Sequence, residues 1–318
     1  MKKTRYFIVW PIVFLYLFLC TGCRKKTEVP YKIDGVDNPI VENISVPSKV
    51  VEDTEVSLKI PKVSYHLVDK KEILIRANYI IGEFSTNFSR SSDARKKNIR
   101  NAAKKVHQTV VYPQEEFSIS KCLTPFTEEN GYFPAGTFVN GKVINSLGGG
   151  VCQVSSTLYN AVLDAELTVT ERHPHSMAVS YVEVGRDAAI AEDQKDFRFM
   201  NNLDVPIVIE AIVTNYDTLL FRIRCVNQVR DKNREVTYET KILEEIEPDE
   251  PVIVYDPTQP EDYLRVIQSA YKGYKAEVYR ITKVNGVEVE RVRISYNEYQ
   301  ASPQYMVVGK KVGLNQGK

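Results

Sequence analysis

The chain is 318 residues long and carries 42 basic against 41 acidic side chains, a formal net charge of +1 at pH 7. A phosphate backbone is normally met with a basic excess, so this balance argues against nucleic acid as the partner. The length exceeds that of one typical domain, and two folded units with a tether are expected.

The amino terminus has three parts: the basic start MKKTR, the apolar run YFIVWPIVFLYLFLC, and the small residues Thr21 and Gly22 before Cys23. Positive charge, an apolar core and a small-residue processing site are the plan of a secretory signal. Residues 1–23 resemble a bacterial lipoprotein signal peptide, whose cysteine, here Cys23, is lipidated and becomes the first mature residue. Cys20 stands where such signals usually carry leucine. The competing reading is an uncleaved signal anchor, for which the apolar run is short against the roughly 20 residues that span a bilayer. Either reading puts everything after Cys23 outside the cytoplasmic membrane. The expected location is the outer face of that membrane, reached through a lipid anchor.

Residues 24–72 carry prolines, alternating charge and few bulky apolar side chains, the composition of an extended tether. The body is expected over 73–230. Its first stretch, ILIRANYIIGEFSTNFS, is dominated by Ile, Tyr and Phe and predicts one or two strands ending at the Ser/Thr/Asn cluster. SSDARKKNIRNAAKKVHQTVV then offers Ser and Asp as N-caps and puts Ile99, Ala102, Ala103 and Val106 at helical spacing. The lysines and arginines of that helix form a solvated face or one that lies against an acidic cell-wall polymer. NGYFPAGTFVNGKVI predicts a hairpin about Asn140-Gly141.

LGGGVCQVSSTLYNA follows, from Leu147 to Ala161. The glycines permit positive φ and close approach of another group, and the residues after them have helical apolar spacing with no helix breaker. Cys152 therefore stands near a helix N-terminus, where unpaired N–H groups and the helix dipole favour its thiolate. It is either a prepared nucleophile or a small hydrophobe in a tight turn. In the first reading Gly149, Gly150 and Gln153 border the substrate, with helix-start N–H groups and the Gln153 amide receiving the oxyanion.

The stretch from Leu167 to Val213 reads as a succession of strands, which makes the body α+β with a mostly antiparallel sheet. His173 and His175, two of only four histidines, would point the same way on a strand. With Cys152 they are the material of a thiol–imidazole pair, or of a three-ligand zinc site with an open position. The triple glycine favours the nucleophile, and no metal or cofactor is expected. In GRDAA, Asp187 is the candidate to orient the imidazole and Arg186 to bind a substrate carboxylate bidentately; a plain turn ion pair is the alternative. Residues 235–312 form a small all-β C-terminal domain with an Asn285-Gly286 turn. Cys122, Cys152 and Cys225 remain, an odd number for an oxidising compartment. If a disulfide forms it should join Cys122 to Cys225 and leave Cys152 free, although both could equally stay reduced.

Residues Phe88 to Ala211 resemble the VanW domain, the module named for an accessory protein of glycopeptide-resistance clusters. The matching stretches are NFSRSSDARKKNIRNAA, YPQEEFSIS, GYFPAGTFVNGKVINSLGGGVCQVSSTLYNAV, ERHPHSMAVSYVEVGRDAAI and DFRFMNNLDVPIVI. The sequence departs in PQEE, where the family more often has Pro-Gly before the glutamate. Some multidomain relatives are similar to peptidoglycan cross-linking enzymes, with the cysteine of GGGxCQ acting as in L,D-transpeptidases. The resemblance implies cell-wall chemistry: a cysteine-dependent acyl transferase acting on peptidoglycan stem peptides, with Cys152 as nucleophile and His175 or His173 as base. The alternative is a non-catalytic envelope protein that binds wall fragments or glycopeptide-targeted precursors in the same groove. The C-terminal region resembles the small extracellular cell-wall domain called G5, with Gly273, Gly286 and Gly309 matching the later part of its pattern. That implies a module that binds a ligand, or one that packs against the body and extends it.

Overall fold

The computed structural model describes residues 69–139, 142–192 and 194–309. The lipoprotein signal, Cys23 and nearly all of the tether lie outside them. In chain order the elements of the body are α1 (Lys70–Arg76), β1 (Tyr79–Asn87), α2 (Asp93–Val106), β2 (Thr109–Val111), β3 (Glu116–Ser118), α3 (Ile119–Leu123), β4 (Pro134–Val139) and β5 (Lys142–Leu147). Then come α4 (Val151–Asp164), β6 (Thr168–Glu171), β7 (Arg198–Met200), β8 (Ile207–Val213) and β9 (Thr218–Cys225). The C-terminal region is all strand: β10 (Arg234–Ile246), β11 (Val252–Asp256), β12 (Leu264–Gln268), β13 (Gly273–Val284), β14 (Val287–Tyr299) and β15 (Tyr305–Gly309).

An antiparallel sheet of order β1-β9-β8-β2 forms the floor of the body. On β9 the burial alternates residue by residue, with Leu219, Phe221, Ile223 and Cys225 inward, as a half-buried strand requires. Helix α2 is capped by the Ser92 side chain and buries Ile99, Ala102, Ala103 and Val106, the stripe its spacing predicts. Helix α4 is buried on every side: from Val151 to Leu163 each residue except Cys152 is inside. Such a helix is a core element rather than a surface one.

The polar residues of α4 do not face water. Ser155 Oγ donates to Ala188 O at 2.5 Å, Ser156 Oγ accepts from Ala188 N at 2.9 Å, and Asn160 Nδ2 donates to Arg186 O at 2.7 Å. Each satisfies a backbone group of the chain between β6 and β7, as buried polar groups must. That segment is not the expected succession of strands. β6 ends at Glu171, and residues 172–192 and 194–197 run in turns and irregular backbone with one bridge, Ala191 to Lys195. Side chains from α4 and Arg172 take up the hydrogen bonds a ladder would have made, so no sheet is needed there. A second departure is ILIR, which falls in α1, capped by Asp69 (Lys71 N to Oδ1, 3.0 Å), and not in a strand. The first residues of that helix, Lys70 to Glu72, are the last of the stretch expected as tether.

The β4–β5 hairpin has Val139 opposite Lys142; the Asn140-Gly141 pair expected at its turn lies outside the described residues. At the β13–β14 turn Asn285 and Gly286 have φ of 51° and 79°, the left-handed pair that an Asn-Gly hairpin prefers. The C-terminal strands form two three-stranded sheets, β10-β13-β14 and β11-β15-β12, with β11 parallel to β15. They pack against the body within one compact unit. Tyr238 Oη donates to Leu163 O at 2.6 Å and Thr240 Oγ1 to Val184 O at 3.0 Å. No helix among the described residues is long and apolar enough to cross a membrane. Leu158 is fully buried at the middle of α4, so Leu158→Ala is expected to cost about 2–5 kcal/mol, read as a lower urea midpoint.

Candidate active site

β5 ends at Leu147 and the three glycines turn the chain into α4. Gly150 is the helix N-cap in the left-handed region, φ 111°, and a Cβ there would lie 2.9 Å from Arg95 Cγ. Gly149 packs still tighter: a Cβ would stand 2.4 Å from Ala135 O. The turn is also held by Asn98, whose Nδ2 donates to Gly149 O at 2.9 Å. Cys152 is thereby fixed in the first turn of α4, with Sγ 3.4 Å from Ile190 O.

The loop stapled to α4 brings His175 and Asp187 to this point. Asp187 is 1% exposed. Its Oδ2 accepts from the His175 backbone N at 2.7 Å and from His175 Nδ1 at 2.5 Å. Its Oδ1 accepts from Arg172 Nη2 at 2.9 Å and from Tyr299 Oη at 2.5 Å. With Nδ1–H committed to Asp187, Nε2 is the ring nitrogen left for the thiol, and the His175 side chain hydrogen-bonds Cys152.

The charges follow from these contacts. Burial alone would raise the Asp187 carboxyl, but His175, Arg172 and the Tyr299 hydroxyl override it and hold it at about 2. Burial works against a charged imidazole, yet hydrogen bonds to Asp187 and Cys152 push His175 up to about 9. Burial likewise penalises the thiolate, and the His175 hydrogen bond and charge, the Ile190 backbone and the Arg95 charge outweigh it, so Cys152 lies below its ordinary value. Both shifts favour the thiolate–imidazolium form of the pair. Tyr181 is pushed far the other way by burial and by the thiolate's charge, so it stays a neutral hydroxyl beside the sulfur.

Cys152, His175, Tyr181 and Arg95 line one cavity of about 760 Å³, walled on another side by the β4–β5 hairpin and Tyr271. Of the residues singled out in the sequence, the structure brings Cys152, His175 and Asp187 together. His173 is not among them: Pro174 and the end of β6 break the strand on which the two histidines would have shared a face, and its Nε2 sits 3.0 Å from Glu171 Oε1. Gly150 and Gln153 border the cavity. The Gln153 amide is already engaged, Nε2 with Thr86 Oγ1 and Asn87 O at 3.1 Å and Oε1 with Arg95 Nη2 at 2.9 Å, and its N–H with Gly150 O at 3.0 Å. Gly149 is a packing residue away from the cavity wall. Arg186 points elsewhere, stacked over the rings of Phe84 (5.6 Å) and Tyr238 (5.2 Å); Asp187 pairs instead with Arg172. Cys122, Cys152 and Cys225 are all free thiols.

Arg172, Tyr181, Arg95 and Tyr299 complete the surroundings and were not read from the sequence. ERH and SYV carry no spacing that marks their Arg or Tyr, and Tyr299 lies 112 residues beyond Asp187.

Residues 94–224 match the family model described as VanW like protein, and residues 233–311 that of the G5 domain. Both matches agree with the resemblances read from the residues. The chain is 37% identical over 155 residues to the uncharacterized protein YoaR of Bacillus subtilis, which is 48% of this chain and 51% of that protein. It is 30% identical over 113 residues to the vancomycin B-type resistance protein VanW of Enterococcus faecalis, 34% of this chain and 41% of that protein. It thus spans about half the length of the curated relatives it matches. Among solved structures, the IgA1 protease G5 domain is 29% identical and covers 27% of this chain and 99% of its own, with a TM-score of 0.17.

The electrostatics predict a pH profile for alkylation of Cys152 by iodoacetamide, read at the level of the peptide by mass. Its midpoint is expected below the ordinary thiol value of 9.0. In His175→Ala the midpoint should rise above that value, because burial remains and its main counterweight is gone. Equal midpoints in the two proteins would mean that His175 does not support the thiolate.

Proposed function

We propose that this chain is an extracytoplasmic cell-wall protein whose Cys152–His175–Asp187 constellation transfers acyl groups between peptidoglycan stem peptides. The observation that carries the reading is a buried imidazole held between a carboxylate and a thiol of lowered pKa, at the wall of a cavity wide enough for a peptide. A packing cysteine needs none of this. Peptidoglycan as substrate rests on the VanW-like and G5 matches and on what those resemblances imply.

In the first half-reaction the Cys152 thiolate attacks a donor amide carbonyl, forming the C–S bond and a tetrahedral oxyanion. Collapse breaks the C–N bond as the His175 imidazolium gives its proton to the departing amine, leaving a thioester and neutral imidazole. An amine of a second stem then attacks the thioester, His175 takes that amine's proton, and C–S cleavage restores the thiolate. Water in place of the amine gives hydrolysis. Asp187 keeps Nδ1 protonated and steadies the imidazolium without itself accepting the proton. The neutral Tyr181 hydroxyl and the field of the α4 N-terminus are the donors assigned to the oxyanion, since the Gln153 amide is occupied. On this reading 24–72 tethers the body to a lipid on Cys23, and the G5 region works against the wall.

Incubation with defined muropeptides followed by intact-mass analysis should reveal an acyl adduct on Cys152 that is absent from Cys152→Ala. Binding without any adduct would favour a wall-binding accessory protein instead. His175→Ala should lose about 10²–10⁴-fold in turnover. The double variant should be barely worse than either single one, because groups that act as a unit are not additive. His173→Ala should keep wild-type turnover. For the anchor, Cys23→Ser is expected to leave unprocessed precursor; maturation to the wild-type amino terminus with unchanged detergent partitioning would refute lipidation there.

A further inference from the structure

We infer that Tyr299, at the end of β14, is a positioning residue for the thiol site: its hydroxyl fixes the Asp187 carboxylate that holds His175. The C-terminal region is then a working part of the site and not an appended module. This rests on the acyl-transfer reading above for its functional meaning.

Tyr299 is 2% exposed. Its Oη donates to Asp187 Oδ1 at 2.5 Å and accepts from Gly185 N at 3.0 Å. With an amide hydrogen on one side and a carboxylate on the other, the hydroxyl proton has one direction to take. Burial and the Asp187 charge push the phenol well above its ordinary range, so it remains a donor wherever the site is ionised. The same end of the chain touches the site twice more. Asn297 Oδ1 accepts from Arg172 Nη1, the guanidinium whose Nη2 also bonds Asp187. Gln300 N donates to Ser176 O at 2.7 Å, one residue after His175. A Cβ on Gly185 would lie 2.6 Å from Val278 Cγ2 on β13, so the loop before Asp187 is pressed directly onto the C-terminal sheet.

The charged and titratable groups facing Asp187 are Arg172, His175, Tyr299, Tyr159 and Tyr181; those facing Cys152 are His175, Arg95 and Tyr181. Without the Tyr299 hydroxyl, Oδ1 keeps one side-chain donor, Arg172, and the carboxylate is less tightly fixed about Cβ–Cγ. The Oδ2–Nδ1 bond loosens, and a less firmly held imidazolium supports the thiolate less well.

The test is the pH dependence of iodoacetamide labelling at Cys152 in the full chain, for wild type, Tyr299→Phe and Tyr296→Phe. Tyr296 stands on the same strand but is exposed and donates to Glu298, so its substitution removes the same atom away from Asp187. Tyr299→Phe should raise the labelling midpoint by about half to one pH unit, and Tyr296→Phe should leave it in place. An unmoved midpoint in Tyr299→Phe, or an equal shift in Tyr296→Phe, overturns the inference alone. A wild-type midpoint in the ordinary thiol range overturns the acyl-transfer reading along with it. Should Tyr299→Phe fail to fold, Asn297→Ala carries the same expectation and is overturned by the same result.

Discussion

The structure turns on one buried carboxylate. Asp187 has almost no contact with water, and an ionised carboxylate in that position is costly unless its oxygens are matched by donors. Its partners come from three places: Arg172 just after β6, His175 by ring and backbone, and Tyr299 from the last residues of β14. Segments far apart in sequence must meet for the charge to be tolerated. The irregular course of 172–190 is the form the chain takes to satisfy that requirement while α4 satisfies its backbone.

The same logic explains why α4 is polar in its interior. Ser155, Ser156, Thr157 and Asn160 would be unwelcome in a core packed on both sides by apolar elements. Here they bond the loop, the preceding turn of the helix, or Thr86 on β1, and through Ala188 and Arg186 they set the residues on either side of Asp187. The helix that presents the thiol thus also fixes the acid two steps removed from it. Fold and site share one set of hydrogen bonds.

Local signals were legible in the sequence where the chain obeys them locally. The stripe of α2, the glycine entry to α4 and the Asn285-Gly286 turn are decided by residues within a few positions of one another. Cys152 and His175 could be picked out because two scarce residue types fell in a short span, and Asp187 because it is the acid of the GRDAA turn that follows them. What failed were inferences that assumed a strand. His173 and His175 share a face only in extended backbone, and Pro174 between them removes an N–H that a ladder would need. Arg186 adjoins Asp187 in sequence, yet its side chain lies between Phe84 and Tyr238, and Arg172 has the carboxylate. The Tyr299 contribution depends on β14 passing behind the loop, a long-range fact that no spacing encodes.

Cys122 and Cys225 are unbridged, and burial holds both thiols above their ordinary range. Nothing in the described fold waits on an oxidation step. The described fold therefore holds together without any disulfide being made or reshuffled, in reducing as in oxidising surroundings. Cys152, the thiol whose pKa is lowered, is likewise left without a disulfide partner among the described residues.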